Sequence, residues 1–170
     1  SMGFIFNKFR LGCHAHSSPT ALKEAIATSC NAYFCWGLHR MFSSEKYNGT
    51  KEAMNRWRDY MVSMGFGYKL GIDLPGEVRG MIPNAEYYTS HYGNYWRALT
   101  VISISIGQGE VTLTPLQIAN LGATIANRGT YITPHIVKDI ENDTISSDFK
   151  TPKKTLVSPE VYEEVIKGMR

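Results

Sequence analysis

Ser29-Cys30-Asn31 separates two stretches of helical periodicity, Thr20 to Thr28 and Ala32 to Phe42. A serine and an asparagine two positions apart at such a junction aim a hydroxyl and a carboxamide into one space. The hydroxyl can relay a proton, and the carboxamide can hold an amide of a bound ligand. Both residue types are also ordinary helix caps, so the tripeptide alone decides little. Its weight comes from three further segments: Gly71-Ile72-Asp73-Leu74-Pro75-Gly76-Glu77, Ser103-Ile104-Ser105-Ile106-Gly107-Gln108-Gly109-Glu110, and Thr114-Pro115-Leu116-Gln117.

Together these segments resemble the transpeptidase domain of class B penicillin-binding proteins, the elongation-type enzymes that crosslink peptidoglycan. The resemblance runs from about Gly12 to Arg170. It implies an α+β chain, a partial β-lactamase/transpeptidase-like fold dominated by its helical lobe. It also implies that Ser29 and Asn31 are the Ser-x-Asn motif. In the family that serine joins a hydrogen-bond relay between two lysines, and the asparagine binds the amide carbonyl of substrate or β-lactam.

The family's other catalytic elements are a Ser-x-x-Lys nucleophile motif upstream and a Lys-Thr/Ser-Gly strand downstream. No Ser-x-x-Lys precedes Ser29. The two matches, Ser43-Ser44-Glu45-Lys46 and Ser147-Asp148-Phe149-Lys150, follow it in polar settings. A catalytic lysine needs a dry pocket to lose its proton, and neither setting promises one. Lys69-Leu70-Gly71 is a degenerate match that leads into the family's surface connection. The expected organisation is therefore a tag scar and extended lead-in over residues 1–11, then a partial transpeptidase domain over 12–170. By itself it is expected to be inactive in acyl transfer. The implied partners are peptidoglycan stem peptides, β-lactam antibiotics and the cell-wall elongation machinery. No metal or organic cofactor is implied. The implied location is the periplasmic face of the cytoplasmic membrane, held by an N-terminal anchor outside these residues. A non-catalytic cell-wall binding or scaffold domain is the alternative.

With 170 residues, 43% of them hydrophobic, the chain can bury one real core. A net charge of +3 with interspersed signs, and no basic stripe, argues against nucleic acid. No apolar run approaches the roughly 18 residues of a membrane-spanning helix. The 3 cysteines, Cys13, Cys30 and Cys35, cannot all pair internally, and buried free thiols are the expectation. Cys13, His14, His16, Cys30 and Cys35 contain enough donors for zinc, but their spacing is neither a finger nor a knuckle. His16 is expected instead to be a structural histidine bonded to backbone near the Ser-x-Asn helix.

Along the chain, Phe4 to Cys13 reads as extended. Ser18 and Pro19 read as N-cap and first residue of the first helix. Thr50 caps a third helix carrying Ala53, Met54, Trp57, Tyr60, Met61 and Met64. Tyr68 to Trp96 reads as a long irregular connection whose tyrosines (Tyr87, Tyr88, Tyr92, Tyr95) and Trp96 fill space under a loop or meet a partner. Val101 to Ile106 alternates like a strand, whereas the resemblance makes it a loop-like approach to the cleft. Gly107-Gln108-Gly109 lacks the context of a phosphate loop and reads as a permissive turn. Thr114-Pro115 opens an apolar helix, expected to be buried through Leu116, Ile118, Ala119 and Leu121. Tyr131-Ile132 and His135-Ile136-Val137 read as short strands, Glu141 to Lys154 as a polar hairpin tip, and Ser158-Pro159 as the start of a last helix.

Overall fold

The computed structural model describes residues 3–19 and 21–170. The chain divides into two compact units, one of Ser1–Arg58, Pro83–Val111 and Glu164–Arg170, the other of Asp59–Ile82 and Thr112–Glu163. The α+β expectation holds: helices dominate, with two small antiparallel sheets beside them.

In the first unit, β1 (Phe4–Phe6) and β2 (Phe9–Leu11) form a hairpin with Phe4 opposite Leu11 and Phe6 opposite Phe9. Phe4 is fully buried, its ring edge-on to Trp36 with centroids 4.8 Å apart. Helix α1 is short, Leu22–Ala27, with Ala21 at its N-cap, so Ser18 and Pro19 do not start it as expected. The reason is local: the Glu24 carboxylate reaches back to accept from the Ala21 N–H at 3.0 Å. Thr20, the first residue of the helical-periodicity stretch Thr20 to Thr28, lies outside the described residues.

Helix α2 (Asn31–Phe42) buries Ala32, Cys35, Leu38 and Phe42, a spacing that keeps one stripe against the core. Across it packs a nine-residue 3-10 helix, Ala98–Ile106, burying Ala98, Val101, Ile102 and Ile104. This corrects the strand-like and loop-like readings of Val101 to Ile106, because burial at these spacings suits a three-residue turn. Helix α3 is Thr50–Ser63, and its Ala53 and Met54 join this core. Within the supposed irregular connection lies α4, Ala85–Tyr92, capped by the Asn84 side chain accepting from the Tyr87 N–H at 2.8 Å. Tyr88 is completely buried and Trp96 nearly so, while Tyr92 and Tyr95 stay exposed.

The second unit centres on α5, Pro115–Ala126, opened by Thr114 as expected. Its buried face is not the apolar one. Gln117, Asn120 and Thr124 are enclosed while Ile118 is more than half exposed. β3 (Thr130–Tyr131) pairs antiparallel with β4 (Lys153–Lys154), so Ile132 and His135 to Val137 are not strand. The Tyr131 and Tyr68 hydroxyls meet at 2.7 Å. Helix α6, Pro159–Met169, begins beside Ser158 as expected.

Candidate functional site

The backbone at Ser29 is the feature that sets the site. Helix α1 ends with the Ser29 N–H donating to Ile26 O at 3.0 Å and the Cys30 N–H to Ala25 O at 2.9 Å. This crossed pair is a Schellman ending, whose C′ position requires the left-handed region and is usually glycine. Here it is Ser29, with φ of 47°. A serine accepted at that position costs about 1–2 kcal/mol relative to a relaxed backbone. Its side chain is exposed.

Cys30 then serves as N-cap of α2, and Asn31 is the first helical residue. The Asn31 Nδ2 donates to the Gly12 carbonyl at 3.1 Å. The turn carries the Ser29 hydroxyl and, two positions on, the Asn31 carboxamide. The segment 103–110 belongs to the same unit. Its Ser105 hydroxyl lies 3.3 Å from Cys35 Sγ on α2 and donates to Ile102 O at 2.7 Å.

Gly107 turns out of the 3-10 helix with φ of 70°. Gly109 has φ of 75°, and a Cβ there would stand 2.6 Å from Ser103 Oγ, so any side chain would be strained and would have to displace that hydroxyl. Glu110 anchors the loop's far end by accepting from the Tyr88 hydroxyl at 2.8 Å and the Tyr92 hydroxyl at 3.3 Å. Burial, then the Glu110 carboxylate, pushes the Tyr88 phenol well above its ordinary value. The Glu110 anchor was not foreseen, and its only sequence signal was the aromatic density of residues 87–96.

Beside the Ser-x-Asn turn, Cys13, His16 and Cys30 place their donor atoms within 4.8 Å of one another. Cys13 Sγ is 3.1 Å from His16 Nε2, and His16 Nδ1 is 2.6 Å from the Ser17 carbonyl. Burial works against ionisation of Cys13. Hydrogen bonds from His16, the Ala32 and Asn31 N–H groups and Cys30 outweigh it and bring the thiol down to about 6. Two thiols and an imidazole are the donor set that suits a soft divalent cation such as zinc. Among the five residues weighed from sequence, His14 and Cys35 stand outside this group: His14 is exposed with its ring 4.7 Å from that of His16, and Cys35 is buried under Ser105. His16 does contact backbone, as expected, and meets Cys13 as well.

The Ser-x-x-Lys matches sit where their sequence settings implied. Lys46 is exposed beyond the end of α2, and Ser147 and Lys150 are exposed around a single 3-10 turn. Lys69-Leu70-Gly71 is not a strand. Its Leu70 and Gly71 N–H groups, with that of Ile72, donate to the Glu77 carboxylate at 2.5, 2.9 and 3.2 Å. In the same loop Asp73 accepts from the Ile136 and Val137 N–H groups at 2.9 and 2.7 Å. The Val137 N–H foremost holds the Asp73 carboxyl below its usual range.

A carboxyl depressed in the folded state stabilises above its unfolded value and stops doing so as pH falls through the folded one. The Ile136 and Val137 amide resonances should therefore titrate with a midpoint below the ordinary aspartate value of about 3.9. A midpoint at or above that value would break the assignment. Asp73→Ala should give the acid-side amide environment already at neutral pH.

Residues 7–170 match the penicillin binding protein transpeptidase domain. The chain belongs to that family. It is 38% identical over 117 residues to the peptidoglycan D,D-transpeptidase MrdA of Acinetobacter baumannii, covering 69% of this chain and 16% of that one. The crystal structure of Pseudomonas aeruginosa PBP2 with WCK 5153 superimposes with a TM-score of 0.72 at 28% identity, over 88% of this chain and 32% of that one. The Helicobacter pylori PBP2 in its complex with MreC gives a TM-score of 0.64 at 27% identity, covering 88% and 25%. The chain thus spans less than a third of the length of each protein matched at PBP2 or MrdA level.

Proposed function

We propose that this chain is the Ser-x-Asn-bearing part of a serine-type D,D-transpeptidase that crosslinks peptidoglycan stem peptides and is acylated by β-lactams. The observation that carries the reading is Ser29 held at a left-handed position that favours glycine, two positions before Asn31 at the head of α2. Strain retained at a polar residue beside a cleft motif is what a working hydroxyl would justify.

In the longer protein a Ser-x-x-Lys serine attacks the penultimate D-Ala carbonyl of one stem peptide. The tetrahedral oxyanion is met by backbone N–H groups, and terminal D-Ala departs. A second stem's amine then takes the acyl group. Ser29 passes the proton between lysines, and the Asn31 carboxamide donates to the substrate's amide carbonyl. To do so, Asn31 must exchange its Gly12 partner for the ligand. β-Lactams take the same path and leave slowly.

The setting follows from the same reading: an envelope enzyme of the elongation machinery, anchored in the cytoplasmic membrane by a segment outside residues 1–170. The MreC complex of the Helicobacter protein supports such a partner. Among the described residues no helix is long and apolar enough to cross a membrane.

Intact-mass measurement after β-lactam incubation tests the proposal, on this chain and on a version extended at both ends. One adduct on the extended protein, with none on residues 1–170, is the expected result. An adduct on the short chain would assign the nucleophile to Ser43 or Ser147. No adduct on either folded protein would favour the scaffold alternative.

A further inference from the structure

We infer that Gly168 is a positioning residue for Ser29: its bare backbone seats the end of α6 against α1, and that seat fixes where α1 stops. Gly168 is the second-last residue of α6 and is buried. Its φ is not positive, so no left-handed turn calls for glycine there. Alanine would suit a helical backbone better, and the glycine therefore needs a steric reason.

Its neighbours supply one, within the first unit, which contains both helix segments. A Cβ at position 168 would stand 2.7 Å from Ile26 Cβ, 2.9 Å from the Lys23 carbonyl oxygen and 3.1 Å from Ile26 Cγ2. A branched Cβ and a backbone carbonyl cannot swing aside as the tip of a long side chain can. Carbon atoms in contact sit about 3.5–4.0 Å apart, so a single methyl group would part the helices by most of an ångström. Gly122, inside α5, is the contrast: a Cβ there meets nothing within 4 Å.

The seat reaches Ser29 through one residue. Ile26 carries the side chain that lies under Gly168, and its own carbonyl accepts the Ser29 N–H at 3.0 Å. Helix α1 has 6 residues, fewer than two turns, so little helix is left to absorb a push on Ile26. Its other end-bond, from the Cys30 N–H to Ala25 O, starts from a fully buried alanine that has no room to follow. A push at Ile26 therefore shifts the Ser29 hydroxyl. A misplacement of about 1 Å can cost a reaction about 100-fold, and part of this one is spread over both helices. The kinetic consequence rests on the proton-relay role proposed for Ser29, whereas the seat itself does not.

Gly168→Ala tests this beside Gly122→Ala, which adds the same methyl group to a helix in open space. In the present chain, Gly168→Ala should move the Ser29 amide resonance, and Gly122→Ala should leave it in place. In the protein extended at both ends, Gly168→Ala should slow β-lactam acylation by about 10-fold, while the affinity of the preceding non-covalent complex stays close to the parent's. An unmoved Ser29 resonance would overturn the inference. So would a lower yield of adduct formed at the parent's rate, the mark of a glycine that only keeps the chain folded. Ser29→Ala separates the two readings. If it is slow while Gly168→Ala keeps the parent's rate, the positioning role fails. If Ser29→Ala itself acylates normally, the relay fails and the Ser29 resonance alone decides the seat. Should Gly168→Ala not fold, Ile26→Ala empties the same seat instead of overfilling it. Faster hydrogen exchange at the Ser29 N–H is then expected, and exchange at the parent's rate would overturn the seat.

Discussion

Gln117→Leu is expected to cost the chain about 3–5 kcal/mol, from the roughly 1–3 kcal/mol attached to each buried polar group left unpaired. Gln117 is 1% exposed, yet every part of its amide is used. Its Oε1 accepts from the Thr114 N–H at 3.0 Å, and its own N–H donates to Thr114 Oγ1 at 3.1 Å, completing a capping box at the start of α5. Nε2 donates to the Tyr68 and Arg79 carbonyls, both at 3.0 Å. One side chain thus satisfies backbone on the two ends of the loop that contains Asp73 and Glu77.

Space is tight around it. At Gly80, with φ of +64°, a Cβ would come within 2.5 Å of Thr112 O and 2.9 Å of Gln117 Oε1. Leucine has the volume but none of the three side-chain hydrogen bonds, so the Thr114 N–H and two carbonyls lose their partner, while the backbone N–H at position 117 still donates to Thr114 Oγ1. Urea denaturation should show the loss as a lower midpoint, and heating as a fall of about 10 °C for a chain of this size. Gln117→Glu separates polarity from shape. It keeps the acceptor and sets a carboxylate against two carbonyls, so it should be destabilising at neutral pH and less so in acid. A Gln117→Leu variant as stable as the parent would mean those backbone groups find other partners.

The same residue marks how far the sequence could be read. Thr114-Pro115 announced where α5 starts, because caps are local chemistry. Which face is buried was not local. Apolar Leu116, Ile118 and Ala119 argued for one side, yet the interior takes Gln117, Asn120 and Thr124, since carbonyls such as Met64 O and Tyr68 O need donors there. Helix α4 had a readable start in Asn84, hidden by aromatic residues that also fit a packed loop. Val101 to Ile106 alternates in composition, and only packing against α2 distinguishes a 3-10 helix from a strand. At the site, Ser29 and Asn31 were legible as a pair. The left-handed Ser29 backbone and the approach of Cys13 to Cys30 were not, because both depend on how α1 ends.

Ser29 should therefore show stability and activity moving in opposite directions. Ser29→Gly is expected to stabilise the chain by about 1 kcal/mol, since glycine enters the left-handed region without the Cβ penalty. Ser29→Ala keeps the Cβ and hence the strain, so its stability should stay close to that of the parent. For acylation of the longer protein by a β-lactam, the two variants should behave alike. Each lacks the hydroxyl assigned to the proton relay, and a fall of about 100-fold or more in the acylation rate is expected, at the lower end of what positioned proton transfer contributes. Ser29→Thr tests the hydroxyl itself, but its branched Cβ is worse at positive φ, so residual acylation should come with reduced stability. If Ser29→Gly acylated at the parent's rate, the hydroxyl would be dispensable and the strained serine would need another cause. If Ser29→Gly were slow but no more stable, the left-handed position would not be strained as its φ of 47° implies. A stabilised, slow Ser29→Gly beside a slow Ser29→Ala of unchanged stability is the combination that ties the backbone cost to the chemistry.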